Sequence, residues 1–216
     1  MSATLLLCFY FNKTEVKNFK PLSDSEYLRF AKWLYDNHYT PADLLRKDDA
    51  ILDKWIDPKG KITIDRLQQL LGRGASMAFA IEKWGQQGIW IIFRASKFYP
   101  RSIKKHLRNQ HPPILYGLGN KALLNQVGMG FVDSRSIGAD DISFTIEKAR
   151  QAVDEGYTVI SGGAQGIDQT SMLEALEYSG QCVGILSDGV ALSPNRRKFS
   201  HYLREQRLAL ISPFYP

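Results

Sequence analysis

Apolar residues in the second half of the chain fall into short continuous runs separated by stretches with helical spacing. The runs at Val127 to Val132, YTVISGG at 157–163, QCVGILSDG at 181–189 and LALISPF at 208–214 are each interpreted as a strand. Between the first two runs, apolar side chains recur at intervals of three and four residues. Strands that alternate with amphipathic helices predict a doubly wound, right-handed and mostly parallel α/β sheet.

Residues with strong preferences for helix ends place the boundaries of these helices. We expect Asp140 or Asp141 to cap the helix after the first run and Asp168 to cap the helix after the second. Gly156 ends the first of these helices. The basic segment 195–207 predicts a third helix.

The chain before these strands is predominantly helical in pattern. Ser23 or Ser25 is expected to cap a helix, and a second helical face precedes Gly-Arg-Gly at 72–74. Glycine between helices favours a plain interhelical turn, although a helix-hairpin-helix whose amides face a phosphate has the same pattern. The pattern predicts a helical region over residues 1–88 and a sheet domain over 89–216, which opens with a strand at Ile89 to Phe93.

The segment GLGNKA, Gly117 to Ala122, matches the glycine spacing of a dinucleotide-binding turn. Only Asn120 to Gln126 separate it from the next strand, whereas a parallel crossover needs about a dozen residues. We therefore interpret it as a turn into a short helix.

Composition is that of a soluble globular protein, with 216 residues, 44% hydrophobic and 23% charged. The net charge of +6 suits a polyanionic partner without requiring one. Cys8 and Cys182 lie in apolar runs and are expected to be reduced. The apolar run Leu5 to Phe11 is too short to span a bilayer, so we expect a cytoplasmic protein without a membrane segment. No metal spacing is present, and no cofactor is expected.

Three strand ends carry small or polar residues suited to an anion. They are Asp133-Ser134-Arg135, Ser161 to Gly166, and Ser187-Asp188-Gly189. Ligands of parallel sheets bind beyond the carboxyl ends of the strands, where glycines admit the ligand and the next helix points its positive end. Arg135 adds a planar charged fork. The predicted phosphate-binding residues are Ser134, Arg135, Ser161, Gly162, Gly163, Gln165, Gly166, Asp168, Asn195, Arg196 and Arg197, with Lys198 extending the positive surface.

Simpler roles for the same residues stay open. The glycines can serve tight turns alone, and Asp168 can be only a helix cap. Arg135 can pair with Asp133 or Asp188.

A second basic segment runs from residue 94 to residue 111 without one acidic residue. It contains Arg94, Lys97, Arg101, Lys104, Lys105 and Arg108, interleaved with Phe98, Tyr99 and His106. Neutralisation of a nucleic-acid backbone with base stacking, and a solvated linker between domains, explain this composition equally well.

Several motifs occur in the order of one known family. YPRSIKKHLRNQHPPILYGLGNKALL, FVDSR, VISGGAQGIDQTSMLEAL and SPNRRKF resemble the DNA processing protein A family, also called DprA or Smf. The resemblance covers Tyr99 to Pro216 and extends to about Gln69. It implies a Rossmann-like domain that binds single-stranded DNA in a basic pocket, without catalysis. It also implies a homodimer and delivery of DNA to a RecA-type recombinase in recombination and natural transformation.

The chain departs from this family's pattern at four places. Asp133 stands where the family has glycine, Ser193 replaces a tyrosine, and Gly163 replaces an apolar residue. The sequence ends at SPFYP, where the family continues, so we expect either a divergent member or a C-terminally shortened one, in which the sheet domain would be incomplete. Dimerisation and contact with the recombinase stay open on this point.

A different class of function uses the same kind of pocket. Nucleotide phosphoribohydrolases of the lysine-decarboxylase-like group are similar in placing a glycine-rich strand end at a nucleoside monophosphate. Their PGGxGTxxE motif is absent, although Asp133, Asp168 and Asp188 have the chemistry for acid/base work. A nucleotide-binding sensor is the third hypothesis. The family resemblance favours a non-catalytic protein that binds single-stranded DNA.

Overall fold

A computed structural model describes residues 1–11, 20–46, 49–132 and 138–216. The chain divides into two compact units, one formed by residues 1–86 and 103–114 and the other by 87–102 and 115–216. The domain boundary that we placed at residue 88 from the sequence stays a prediction.

Helices make up most of the first unit, as the sequence predicts. The α-helices are α1, Ser2–Cys8, α2, Asp24–Asp36, α3, Ile64–Leu71, and α4, Gly74–Gln86, with 3₁₀ turns at Asp43–Leu45 and Asp49–Lys54. Helix α5, Arg101–Leu107, whose first two residues belong to the second unit, and a 3₁₀ turn at Arg108–Gln110 follow later in the chain. No helix in the described parts of the chain is long and apolar enough to cross a membrane.

Ser23 is the N-cap of α2, which confirms one of the two predicted caps. Its hydroxyl accepts a hydrogen bond from the Glu26 amide at 3.3 Å, and its own amide donates to Glu26 Oε2 at 2.9 Å. This reciprocal capping box satisfies two amides that the first turn of a helix leaves without a partner.

The Gly-Arg-Gly segment is an interhelical turn with an inward-pointing arginine. Gly72 caps the end of α3, and α4 begins at Gly74. Buried Arg73 donates from Nε to the Leu70 carbonyl at 3.2 Å and from Nη2 to the Leu6 carbonyl. Its guanidinium lies 4.9 Å from the centre of the Phe11 ring. Arg73 therefore joins three parts of the helical unit, and its charge is directed away from solvent.

A six-stranded sheet is the centre of the second unit. Its strands are β1, Trp90–Phe93, β2, Ile114–Gly119, β3, Gly128–Phe131, β4, Thr158–Ser161, β5, Cys182–Ile185, and β6, Leu208–Ser212. They lie in the order β1, β2, β6, β5, β4, β3. Strands β3, β4, β5 and β6 are parallel to one another, and β2 is antiparallel to β6. The predicted mostly parallel α/β fold is confirmed.

The helices of this unit connect consecutive strands. They are α6, Ala139–Asp154, α7, Ile167–Glu177, α8, Pro194–Lys198, and α9, Ser200–Arg204. The predicted turn after β2 is a 3₁₀ turn at Lys121–Asn125, where the Asn120 side chain accepts from the Ala122 amide. The chain is thus too short here for the crossover of a dinucleotide-binding unit.

Two predicted caps are wrong. Helix α6 starts after Gly138, and Asp141 acts from the first turn by accepting from the Gly138 amide at 2.8 Å. Helix α7 starts at Ile167, so Asp168 is inside the helix and is not its N-cap. Gly166 takes the preceding position with φ of 101°, a conformation that suits glycine and is strained for other residues.

Two further predictions need correction. Strand β3 is not fully buried: Val127 and Val132, which flank it, are 72% and 84% exposed, because β3 is the last strand in the order. The predicted helix over 195–207 is broken at Phe199, with φ of −101° and ψ of 18°. Backbone hydrogen bonds nevertheless continue through the break, from the Phe199 amide to the Asn195 carbonyl and from Leu203 to Phe199.

Candidate functional site

The carboxyl ends of β4 and β5 border a polar cleft of about 570 Å³. The glycine-rich loop after β4 forms one wall, and Gln169 of α7, the loop after β5 and α8 form the rest. We call this space the glycine-loop cleft. Its lining residues are Gly162, Gly163, Ala164, Gln165, Gln169, Ser187, Asp188, Ser193, Asn195 and Lys198.

Asn195 is buried and fixes the position of the glycine-rich loop. Its Nδ2 donates to the Gly163 carbonyl at 2.9 Å. Gly163 has φ of 73°, and a Cβ at this residue would lie 2.6 Å from Asn195 Nδ2. The absence of a side chain at residue 163 is therefore what lets α8 approach the loop so closely.

Gly162 is required by a second close approach. A Cβ on this residue would lie 2.7 Å from Asp168 Oδ2. That carboxylate accepts a hydrogen bond from the Ala164 amide at 3.2 Å. Asp168 thus holds the loop from inside α7. Its carboxylate already accepts from the Ala164 amide, a donor that a bound anion would otherwise use.

A chain of side-chain hydrogen bonds crosses the cleft. Lys198 Nζ donates to Gln169 Oε1 at 2.6 Å. Gln169 Nε2 in turn lies 3.3 Å from the Gly163 carbonyl and 3.4 Å from Asn195 Oδ1. The exposed Lys198 ammonium is consequently positioned at the cleft instead of moving freely on the surface. Sequence reasoning missed Gln169, because nothing in the local pattern indicates that it faces α8.

Ser161 has a structural position outside the lining of the cleft. Its buried hydroxyl donates to the Phe131 carbonyl at 2.8 Å, which ties β4 to the end of β3. Gly166 also lies outside the lining, whereas Gln165 is exposed within it.

Arg196 and Arg197 line a neighbouring groove of about 620 Å³ and do not line the glycine-loop cleft. Arg196 Nη2 donates to the Gln87 carbonyl at 2.7 Å, so its guanidinium points away from the glycine-rich loop. The two spaces share Ser193, whose side chain caps α8. The structure therefore separates these arginines from Gly162 and Gly163, although the sequence predicts one site.

Three residues of the first predicted strand end, Asp133, Ser134 and Arg135, lie outside the described residues. Phe131, the last residue of β3, is paired with Ser161, the last residue of β4. The chain after Phe131 thus leaves the sheet at the same edge as the glycine-rich loop.

The second basic segment is distributed over both units. Arg94, Lys97 and Arg101 fall in the sheet unit, and Lys104, Lys105 and Arg108 fall in the helical unit. Lys97 Nζ lies 5.2 Å from the centre of the Phe98 ring, and the Arg101 amide donates to Asn125 Oδ1 at 2.9 Å. Nucleic-acid binding by this segment stays a prediction.

Among the described residues, no three His, Cys, Asp or Glu side chains are placed to hold a metal ion. The acidic side chain that lines the cleft is Asp188, which is exposed. The local charge of the described lining is therefore one lysine against one aspartate.

Comparison with known proteins identifies the family. Residues 90–216, more than half of the chain, match the family model of DNA recombination-mediator protein A. The chain belongs to this family. Protein Smf of Synechocystis sp., a curated relative, is 30% identical over an alignment of 112 residues that covers 49% of this chain and 27% of that protein. The chain thus spans about a quarter of the length of this Smf relative.

Two solved structures of DNA processing protein A are also similar. The X-ray structure of the Streptococcus pneumoniae protein matches with a TM-score of 0.68 and 17% identity, over 97% of this chain and 69% of that one. This likeness supports the shared fold. The Helicobacter pylori protein, studied for its mode of binding single-stranded DNA, gives a TM-score of 0.47 with 19% identity over 59% of this chain and 56% of that one. We infer nothing from that weaker likeness.

Proposed function

We propose that this member of the DNA recombination-mediator protein A family binds single-stranded DNA at the glycine-loop cleft, without catalysis. The observation that carries the proposal is the position of Lys198, whose ammonium is fixed by Gln169 beside a loop with two glycines. A phosphodiester needs a cation, hydrogen-bond donors and close access to them. The cleft offers these in one polar space.

The donors of the cleft suit a nucleic-acid backbone. Gln165 and Gln169 contribute amides, Ser187 and Ser193 contribute hydroxyls, and Lys198 contributes the charge. Such neutral and cationic donors supply most protein contacts to phosphate and sugar oxygens. We infer that Arg135 adds a second cation and Ser134 a hydroxyl, because the strand that precedes them ends beside β4.

The enzymatic alternative finds less support in this arrangement. A general acid or base needs a carboxyl group free to contact the substrate. The Asp168 carboxylate is instead directed at the Ala164 amide and at Gly162. Asp188 is exposed in the lining, so among the described aspartates the hypothesis of a phosphoribohydrolase rests on that residue. A nucleotide-binding sensor needs no general acid or base and would use the same cleft.

The remaining parts of the proposal rest on family membership. We propose that the bound strand is passed to a RecA-type recombinase in recombination or natural transformation. We also propose that the protein acts in the cytoplasm and forms a homodimer. The basic segment from Arg94 to Arg108 is proposed as a secondary contact with DNA.

Fluorescence anisotropy with labelled single-stranded and duplex oligonucleotides over a salt series tests the proposal. We expect preference for the single strand, affinity that falls with salt, and a loss of about 1–3 kcal/mol on Arg135→Ala, as for a charge-assisted contact. Equal binding of duplex, or binding that does not depend on salt, would contradict it. Release of free base from nucleoside monophosphates, followed by chromatography, would establish the enzymatic alternative instead.

A further inference from the structure

Three spaces on the sheet unit are joined in a line along α8 and α9. The glycine-loop cleft shares Ser193 with the groove lined by Arg196 and Arg197. That groove shares Arg196 and Ser200 with a third one of about 490 Å³, which reaches Arg204. We call the surface of Ser193, Arg196, Arg197, Ser200 and Arg204 the helical track.

The helical track runs from the carboxyl ends of the parallel strands to their amino ends. Helices α8 and α9 carry the chain from the carboxyl end of β5 to the amino end of β6. The third groove is lined by Gly119 and Gln206, and Gly119 is paired with Ala209 near the start of β6. A ligand that follows the track would therefore leave the glycine-rich loop and end near Gly119, beside the amino end of β6.

One continuous helical face bears the side chains of the track. The amides of Phe199 and Leu203 bond to the carbonyls of Asn195 and Phe199, four residues earlier, at 2.9 Å and 3.1 Å. The backbone thus keeps its helical repeat through the break at Phe199. Side chains spaced by three or four residues, such as Arg197, Ser200 and Arg204, consequently lie on the same face.

The charge of the track has one sign. Arg197 and Arg204 are exposed, and Arg196 is partly exposed. No acidic residue lines the two grooves beyond the glycine-loop cleft, within the part of the chain that the structure describes. Glu205, the acidic neighbour of Arg204, is paired with Arg207 at 2.5 Å and with His201 at 3.0 Å. Its carboxylate is therefore already neutralised by Arg207.

We propose that a single strand bound at the glycine-loop cleft continues along the helical track, so that Arg204 contacts nucleotides that the cleft does not reach. This inference rests on the proposed function and adds the path of the strand to it. A row of cations without acidic partners matches the regularly spaced phosphates of a polymer better than it matches one isolated phosphate. The track extends the binding site beyond the carboxyl edge of the sheet.

Oligonucleotide length separates this inference from the proposed function. Anisotropy titrations use single strands of about 4 and about 12 nucleotides, the range of site sizes for single-strand-binding domains. We expect Arg204→Ala to lower the affinity for the longer strand about five- to tenfold, as for one charge-assisted contact, and to leave the affinity for the shorter strand unchanged. Lys198→Ala is expected to lower the affinity for both strands. Lys148→Ala, which removes a partly exposed cation on α6 that pairs with Glu147, is the matched control.

Each outcome decides one of the two claims. If Arg204→Ala changes the affinity for neither oligonucleotide, or changes both affinities equally, the proposal of the helical track is wrong. A loss of affinity on Lys198→Ala would still support binding at the glycine-loop cleft. If neither Lys198→Ala nor Arg135→Ala changes the affinity for either oligonucleotide, the proposed function is wrong, and the proposal of the helical track is wrong with it. Circular dichroism spectra that match the unsubstituted protein show that a loss of affinity is not a loss of fold.

Discussion

Asn195 and Gly163 are joined by a hydrogen bond that depends on the absence of a side chain. Asn195 Nδ2 donates to the Gly163 carbonyl at 2.9 Å, and a Cβ on residue 163 would lie 2.6 Å from the same nitrogen. The same residue has φ of 73°, so both its backbone conformation and its contact favour glycine. This pair fixes α8, with Lys198 at its end, against the loop of the cleft.

Gly163→Ala is predicted to weaken both folding and binding. Alanine in the left-handed region costs about 1–2 kcal/mol, and the displaced Asn195 adds the cost of an unsatisfied buried amide. We expect the free energy of unfolding, measured with urea, to fall by about 2–5 kcal/mol. Affinity for single-stranded DNA should fall as well, because Lys198 moves with α8.

Gly130→Ala is the control for that substitution. Gly130 is an exposed residue of β3, and a Cβ there would meet no atom within 4 Å. Stability and binding should stay within about 0.5 kcal/mol of the unsubstituted protein, as for most surface substitutions. A Gly163→Ala protein as stable as the Gly130→Ala protein would show that the contact with Asn195 is unimportant.

Glu26 predicts how the stability of the helical unit depends on pH. Hydrogen bonds from Arg66 to both carboxylate oxygens, at 3.0 Å and 3.1 Å, are the main cause that lowers the pKa of Glu26 from 4.5 to about 2. The Ser23 amide also lowers it, and burial opposes both. A lowered pKa means that the folded state favours the ionised carboxyl group. The resulting stabilisation is present above pH 4.5 and is lost as the pH falls through about 2.

Glu26→Gln is expected to reduce the free energy of unfolding by about 1–3 kcal/mol at pH 7, since it removes a charge-assisted bond. The difference from the unsubstituted protein should shrink between pH 5 and pH 2. Tryptophan fluorescence in urea measures it, because Trp33, Trp55 and Trp84 all lie in this unit. Glu82→Gln, on the exposed side of α4, is the control. A gap that stays constant with pH would contradict the assigned role of Arg66.

Elements set by local chemistry could be predicted from the sequence. Ser23 caps α2 because Glu26 stands three residues later, and Gly156 ends α6 with φ of 77°. Each of these signals depends on neighbours in the chain. The alternation of strands and helices is equally local, so the sheet could be predicted too.

Features that depend on distant parts of the chain could not be predicted in this way. Gln169 belongs to the cleft because α8 brings Lys198 to it, and Arg73 is buried because Phe11 and Leu6 cover it. The exposure of Val132 follows from the place of β3 in the strand order. In each case the surroundings of the residue depend on segments far away in the sequence, and the local sequence pattern does not indicate them.

The most direct test of the central claim is the salt dependence of single-stranded DNA binding, compared between Lys198→Ala and Lys148→Ala. Each variant loses one lysine, but only Lys198 lines the glycine-loop cleft. One lost phosphate contact lowers the slope of log affinity against log salt by about 0.7 for a single strand. We predict that reduction, with weaker binding, for Lys198→Ala and an unchanged slope for Lys148→Ala. An unchanged slope for Lys198→Ala, or an equal effect of both substitutions, would contradict binding at the glycine-loop cleft.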